Sequence, residues 1–352
     1  MTALKETFIQ HAAIGACAAL LLAAASVPLA AQKKQLVFVE NSQSGEVSII
    51  DVATNTVTGS IPIGLSPDEI VASPSGDVLY VSRIVRRDDG RTTGNGELVA
   101  IDPAARKVLW RMPLHGSPNH IAVAPDGKRV YVTIVSGPWT VIIDPAKHAV
   151  VDSVDVGTGP HDIDITRDGK TVYVGLIRGT DVTVFDAATR KVLRKIPFGE
   201  NVRPIALSPD ESQLFVQLSR THAFMVVDTH TGKIIRKVPM PVPPGASLPD
   251  SMPIDVNHGL RVTADGKYLI ANGSLFDLVA IYSLPDLKLV GTVKVGKEPN
   301  WIVLSPDGTR VFVSNRRSDD VSVIDLTSRK EVARIKVGTY PQRMASVTVG
   351  GR

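Results

Sequence analysis

The chain has 352 residues, of which 43% are hydrophobic and 21% charged, with a formal net charge of +4. This balance excludes a disordered or collagen-like chain. A single cysteine, Cys17, excludes a disulfide framework and a cysteine-ligated zinc site.

The N-terminus reads as an address. Lys5 opens a short polar start, residues 12–25 are nearly all Ala and Leu, and Leu29-Ala30-Ala31 precede the polar Gln32-Lys33-Lys34. That is the polar, apolar and small-residue order of a secretory signal. Cleavage is expected after Ala31, which makes residues 1–31 the signal and 32–352 one domain. The apolar run falls short of the ~20 residues a spanning helix needs, so the mature chain is expected to carry no transmembrane span. Ile14-Gly15-Ala16-Cys17 offers a lipoprotein alternative, against which stands the apolar run continuing past the cysteine. The mature chain is expected in the periplasm or outside the cell, free of thiol chemistry.

From residue 37 onward one unit recurs. Val37-Phe38-Val39, Leu79-Tyr80-Val81, Val130-Tyr131-Val132, Val172-Tyr173-Val174, Leu214-Phe215-Val216, Leu269-Ile270-Ala271 and Val311-Phe312-Val313 are spaced by 42, 51, 42, 42, 55 and 42 residues. An aspartate follows most of them by 12 residues, as at Asp51, Asp144, Asp186, Asp228 and Asp325. A turn such as Pro125-Asp126-Gly127 or Pro306-Asp307-Gly308 precedes. Asp-Gly between β-rich runs is a hairpin signal, and strand-ending aspartates cap their own turns. In one unit the predicted strands fall at 121–124, 129–133, 140–143 and 149–156. Four strands in about 40 residues is the size of a propeller blade. The chain starts on a second strand (36–40) and ends on an orphan first strand (342–349), so the two termini are expected to complete one blade. The prediction is an all-β, seven-bladed propeller with four antiparallel strands per blade, a closed form with no need to oligomerise.

Val37-Phe38-Val39-Glu40-Asn41, Val311-Phe312-Val313-Ser314-Asn315 and Ser305-Pro306-Asp307-Gly308 resemble the YVTN-type β-propeller repeat, as do Val321-Ser322-Val323-Ile324-Asp325 and the trailing Val337-Gly338. The resemblance spans essentially the whole mature chain. It implies fold, and wider kinship with lactonase-like propellers and the haem domain of nitrite reductase. It leaves function open, since relatives include binding proteins, lactonases and lyases.

With the four strands of a unit called A to D in chain order, the two longest spacings place insertions in one B–C loop (between Val81 and Asp102) and one D–A loop (239–249, proline-rich), both on one face of the ring. A stiff proline-rich stretch there is expected to form a rim. On the same face, the residues entering each innermost strand align as Asp68, Asn119, His161, Arg203, His258, Asn300 and Gln342, followed by Glu69, His120, Asp162, Pro204, Gly259, Trp301 and Arg343. Isoleucine or another apolar residue comes next in every unit. A polar ring on an apolar shaft is therefore expected, either as a wet funnel or as a site. His120, His161 and His258 are candidate ligands for a divalent metal ion, with Gln342 or Asp162 as a fourth. His161, Arg203 and His258 are candidate catalytic groups. Adjacent strand residues point apart, which sets His161 with Arg203 above His161 with Asp162. The remaining histidines are expected to be solvated.

Arg83, Arg178, Arg220 and Arg316 follow second strands on this face, and Arg261 lies one step inside the ring. Guanidinium groups grip carboxylate or phosphate, so an anionic small molecule is the expected ligand. Asp68, Asn119, Asp162, Asn300, Trp301, Gln342 and Arg343 complete the candidate binding set. Asp164 and Arg261 can instead form a closed charged pair. No Gly-rich phosphate loop, Gly-x-Ser-x-Gly elbow or Cys-x-x-Cys-His haem attachment is present, and nothing pairs a basic run with stacked aromatics for nucleic acid. Three readings follow. The first is a binding propeller for an anionic small molecule or a periplasmic protein. The alternative is an enzyme, a lyase, lactonase or hydrolase, on an anionic substrate in the funnel. The third is a haem-associated propeller, with a histidine as axial ligand.

Overall fold

The computed structural model describes residues 33–86 and 92–350; the segment expected to be a signal, with Cys17, lies outside them. Among the described residues, twenty-eight strands form seven four-stranded antiparallel sheets. The first blade joins the C-terminal strand Pro341–Val349 to Lys34–Asn41, with Leu36 opposite Val347 and Phe38 opposite Ala345. Its remaining strands are Glu46–Asp51 and Thr56–Pro62. The other six blades follow in chain order, each with its first strand innermost. The predicted unit at 121–156 corresponds to Pro118–Val123, Val130–Ile134, Trp139–Asp144 and Ala149–Asp155.

Alternation builds the core. In Lys34–Asn41, Leu36 and Phe38 pack toward the second blade, while Val37 and Val39 pack toward the seventh. Every sheet does this on both faces, so seven apolar clusters lie between neighbouring blades. Each fully buried Val, Ile, Leu or Phe contributes roughly 1.5–3 kcal/mol. The repeat aspartates are turn formers, as expected: Asp51 Oδ1 accepts from Ala53 N at 2.9 Å, and Asp228 Oδ1 from Thr231 N at 2.7 Å. The Asp-Gly turns carry the left-handed residue at glycine, as at Gly127 (φ 71°).

The second blade departs from the expected loop. Its insertion lengthens a hairpin, with strands Leu79–Arg86 and Thr92–Asp102 paired out to Arg86 opposite Thr92; residues 87–91 lie outside the described ones. The other insertion, residues 240–259, contains no strand, and the sixth blade's inner strand, Leu260–Val262, is correspondingly short. Among the described residues no helix is long and apolar enough to cross a membrane.

Candidate functional site at the funnel mouth

Six of the seven inner strands are irregular where they enter. Pairing shifts between Pro67 and Glu69, Pro118 and Ile121, Pro160 and Ile163, Val202 and Ile205, and Pro299 and Trp301, and between Val39 and Asn41 opposite the C-terminal strand. A bulge places two consecutive side chains off the regular alternation. Both aligned rows therefore contribute buried polar groups to the funnel, against the strict alternation expected from sequence.

The second row forms a plug. His120 is fully buried, with Nδ1 2.7 Å from Glu69 Oε2 and 3.0 Å from Asp162 Oδ1. Its Nε2 lies 2.8 Å from Arg343 Nη2. A guanidinium only donates, so Nε2 accepts and the neutral ring carries its proton on Nδ1, facing the carboxylates. Burial pulls the His120 pKa down, but Asp162 and Glu69 outweigh it and the net shift is upward. Burial would raise Asp162; His120, by charge and hydrogen bond, holds it below the usual carboxylate range. Arg343, 1% exposed, also donates through Nη1 to Asn300 Oδ1 at 2.5 Å and lies 4.3 Å from the Trp301 ring centroid. Its backbone N–H goes to Glu40 Oε1 at 3.1 Å. Burial and then Asp68 push the Glu40 pKa well above its ordinary value, against the lowering effect of Arg343.

Glu40 occupies a recurrent position near the end of the second strand. There Thr133 Oγ1 accepts from His120 N at 3.0 Å and donates to the His161 carbonyl of the next blade at 2.8 Å. Ser314 likewise accepts from Trp301 N at 3.1 Å and donates to the Gln342 carbonyl. Hydroxyls at this position thus stitch blade to blade around the ring.

Above the plug lie His161 and His258, ring centroids 6.1 Å apart, with His161 stacked 4.4 Å from His120. His258 Nδ1 sits 3.1 Å from the Asn300 carbonyl, which only accepts. Nδ1 therefore carries the proton and Nε2 is a free base. Burial depresses both pKa values well below the ordinary imidazole range. For His258, Arg343, Arg316 and Arg203 add to it; for His161, His120 comes before the same three arginines. Both rings are neutral at pH 7. Arg203 donates to Ser219 Oγ at 2.9 Å and pairs with Asp255 Oδ1 at 2.9 Å. Arg316 lies 3.9 Å from Asp255 Oδ2 and 3.6 Å from Glu298 Oε1, and donates to Gln342 Oε1 at 3.0 Å. Asp255 thus stands between two arginines from different blades.

Several expected groupings are corrected. Among the described residues no three His, Cys, Asp or Glu groups are placed to hold a metal ion. In the proposed trio, both His120 nitrogens are already engaged. Asp162 serves His120, not His161, and Asn119 donates to Asp68. Of the B–C arginines only Arg316 reaches the funnel. Arg83 is tied to Glu97 at 2.7 Å, Arg220 is exposed and donates to the Met252 carbonyl at 2.8 Å, and Arg178 is exposed. Arg261 lies further down the channel, and Asp164 does not pair with it; its oxygens accept from the backbone N–H groups of Ile165 and Leu207. His222 is not solvated but buried against Phe276, whereas His148 is exposed as expected, its ring tilted against Trp110 at 4.5 Å. Sequence reasoning missed Asp255, Glu298 and Glu40. Glu40 was findable, since the repeat aligns it with Ser82, Thr133 and Ser314; nothing periodic marks Asp255.

Comparison with known proteins agrees with this architecture. The family model of seven-bladed β-propeller lactonases matches residues 248–336, and that of the outer membrane protein assembly factor BamB matches residues 43–159. No curated protein matches the chain. The periplasmic gluconolactonase of Pseudomonas aeruginosa is similar with TM-score 0.70 and 19% identity, over 91% of this chain and 100% of that one. Kuenenia stuttgartiensis hydrazine synthase gives TM-score 0.69 and 22% identity, over 82% and 91%. Dihydro-heme d1 dehydrogenase NirN, solved in complex with DHE, gives 0.61 and 16%, over 88% and 74%. In fold this chain is a lactonase-like seven-bladed β-propeller.

Proposed function

We propose that the protein is a hydrolase of lactones or related esters, acting at the funnel mouth and holding the carboxylate that hydrolysis releases. One observation carries this reading: His258 presents a neutral ring whose Nδ1–H is tied to Asn300 O at 3.1 Å, leaving Nε2 as a base beside Arg203 and Arg316. Nε2 takes a proton from water as the water oxygen bonds to the substrate carbonyl carbon. The carbonyl oxygen gains negative charge, which the guanidinium groups offset. The ring C–O bond then breaks, and the departing alkoxide takes the proton back from the imidazolium. His161 is the second neutral imidazole in reach of the same space. The lactonase family match at 248–336 includes His258, Asn300, Trp301 and Arg316, and supports the reading. An anion-binding role without turnover uses the same arginines. A periplasmic location is part of the proposal. The signal-like residues 1–31, the match to BamB and the periplasmic gluconolactonase support it.

The test is proton release from a panel of sugar lactones at pH 7.5, for wild type, His258→Ala and His161→Ala. Turnover in wild type that falls at least 100-fold in His258→Ala, with unchanged circular dichroism, is the expected result. No turnover of any lactone, or full activity in both variants, sinks the proposal. The likeness to NirN, solved in complex with DHE, favours a second reading, in which His258 Nε2 would hold a haem iron and the haem would supply redox chemistry; a Soret band in protein purified from the periplasm would replace the hydrolase reading.

A further inference from the structure

A second cavity lies beyond the plug, at the other end of the channel. Past the apolar residues that follow the polar ring, the inner strands of the third to sixth blades enclose about 320 Å³, lined by Ala122, Ile165, Leu207 and Val262 together with Asp164 and Arg261. These residues lie toward the C-terminal ends of their strands, so the cavity faces the side opposite the mouth. Its size is at the lower end of small-molecule sites.

Arg261 is unusual among the buried or half-buried arginines of the channel. Arg343 and Arg203 are each held by several carboxylate, amide, imidazole or hydroxyl partners. Arg261 donates one long hydrogen bond, Nη1 to the Leu260 carbonyl at 3.4 Å, and among the described residues has no carboxylate at ion-pair distance. Its guanidinium rests 4.5 Å from the centroid of Trp301, which fixes it by a cation–π contact. Asp164 lines the same cavity and lies in electrostatic reach of Arg261, but makes no direct ion pair with it: its two oxygens accept from Ile165 N at 2.9 Å and Leu207 N at 3.0 Å. A positioned guanidinium with no carboxylate in direct ion-pair contact, beside the half-buried side chains of Ile165, Leu207 and Val262, matches a carboxylate carried on a short apolar body.

We propose that this lower cavity is a separate binding site for a small amphiphilic carboxylate, its head on Arg261 and its alkyl part along Leu207 and Val262. The plug of Arg343, His120 and Trp301 separates it from the mouth, so occupancy does not depend on the hydrolase reading.

The test is calorimetric titration of the whole mature protein with sodium hexanoate at pH 7.5, with hexanol and gluconate as controls. Saturable hexanoate binding, weakened at least 10-fold in Arg261→Gln and unchanged in Arg203→Gln, is expected, with hexanol binding more weakly than hexanoate. Leu207→Trp, which narrows the cavity from another blade at a half-buried position and leaves Arg261 in place, is expected to abolish binding as well, and covers the case in which Arg261→Gln does not fold. Absence of hexanoate binding to wild type, binding that survives both cavity variants, or binding lost with Arg203→Gln instead overturns the proposal. Lactone turnover measured on the same samples reports separately on the mouth.

Discussion

Replacing Arg343 by Met tests the electrostatic account of the plug. Methionine keeps the length and apolar stem but removes the charge. Two charged hydrogen bonds go, to Asn300 Oδ1 at 2.5 Å and to His120 Nε2 at 2.8 Å, together with the stacking on Trp301. At roughly 1.5–3 kcal/mol for each charged hydrogen bond the loss is about 4 kcal/mol. An independent route agrees: Glu69, 3% exposed and 3.6 Å from Arg343 Nε, is left as a buried charge short of its cation, and breaking a buried pair costs about 3–5 kcal/mol. Equilibrium urea unfolding, followed by far-ultraviolet circular dichroism and tryptophan emission, reads this directly. Adding Glu69→Gln to Arg343→Met is expected to recover about 2 kcal/mol, as a coupling energy between contacting groups. A loss below about 1 kcal/mol, or strict additivity with Glu69→Gln, refutes the account. A second readout is local. Arg343 helps to depress His161 and His258, so their imidazole NMR titrations are expected to move to higher pH in the variant. Unmoved midpoints would mean that the neutral histidines have another cause.

Asp255→Asn removes the carboxylate lodged between Arg203 and Arg316, and is expected to tighten binding of an anion such as gluconate at the mouth several-fold, measured by calorimetry; weaker binding would show that Asp255 orients the arginines rather than competing for them. Asp164 is raised by burial from 3.8 to about 6, since its two backbone hydrogen bonds and Arg261 only partly offset desolvation. The folded state then binds this proton more tightly than the unfolded one. Stability from this group is present below pH ~4 and declines as pH rises toward 6, by about 3 kcal/mol at most because the channel admits water. A carboxyl carbon titration of Asp164 with its midpoint near 4 would contradict this. Deleting residues 341–352 removes the strand that pairs with Lys34–Asn41 and also removes Arg343; loss of the cooperative unfolding transition is expected, and a truncated chain of wild-type stability would show that the ring does not need its closing strand.

Local chemistry made much of this protein legible. A period near 42 residues, Asp-Gly turns and the half-units at each end were enough for the blade count, the strand order and the closing strand. These features depend on alternation and turn preference, which act within a few residues. Aligning the repeats also found the polar entry to the channel, because every inner strand begins at the same phase. Which of those polar groups meet was not legible. Bulges at the strand entrances set aside the strict alternation that governs the rest of each strand. Arg203 and Arg316 meet at Asp255, which is donated by an insertion outside the repeat, and Arg83 and Arg220 find partners elsewhere. His120 faces Glu69 and Asp162 from the blades on either side, with Arg343 brought in by the C-terminal strand. Such pairings are set by distances across the ring, between residues up to 303 positions apart in the chain. A short-range pattern carries no information about those distances, so the tertiary closure of the ring decided the charges, tautomers and partners of the site.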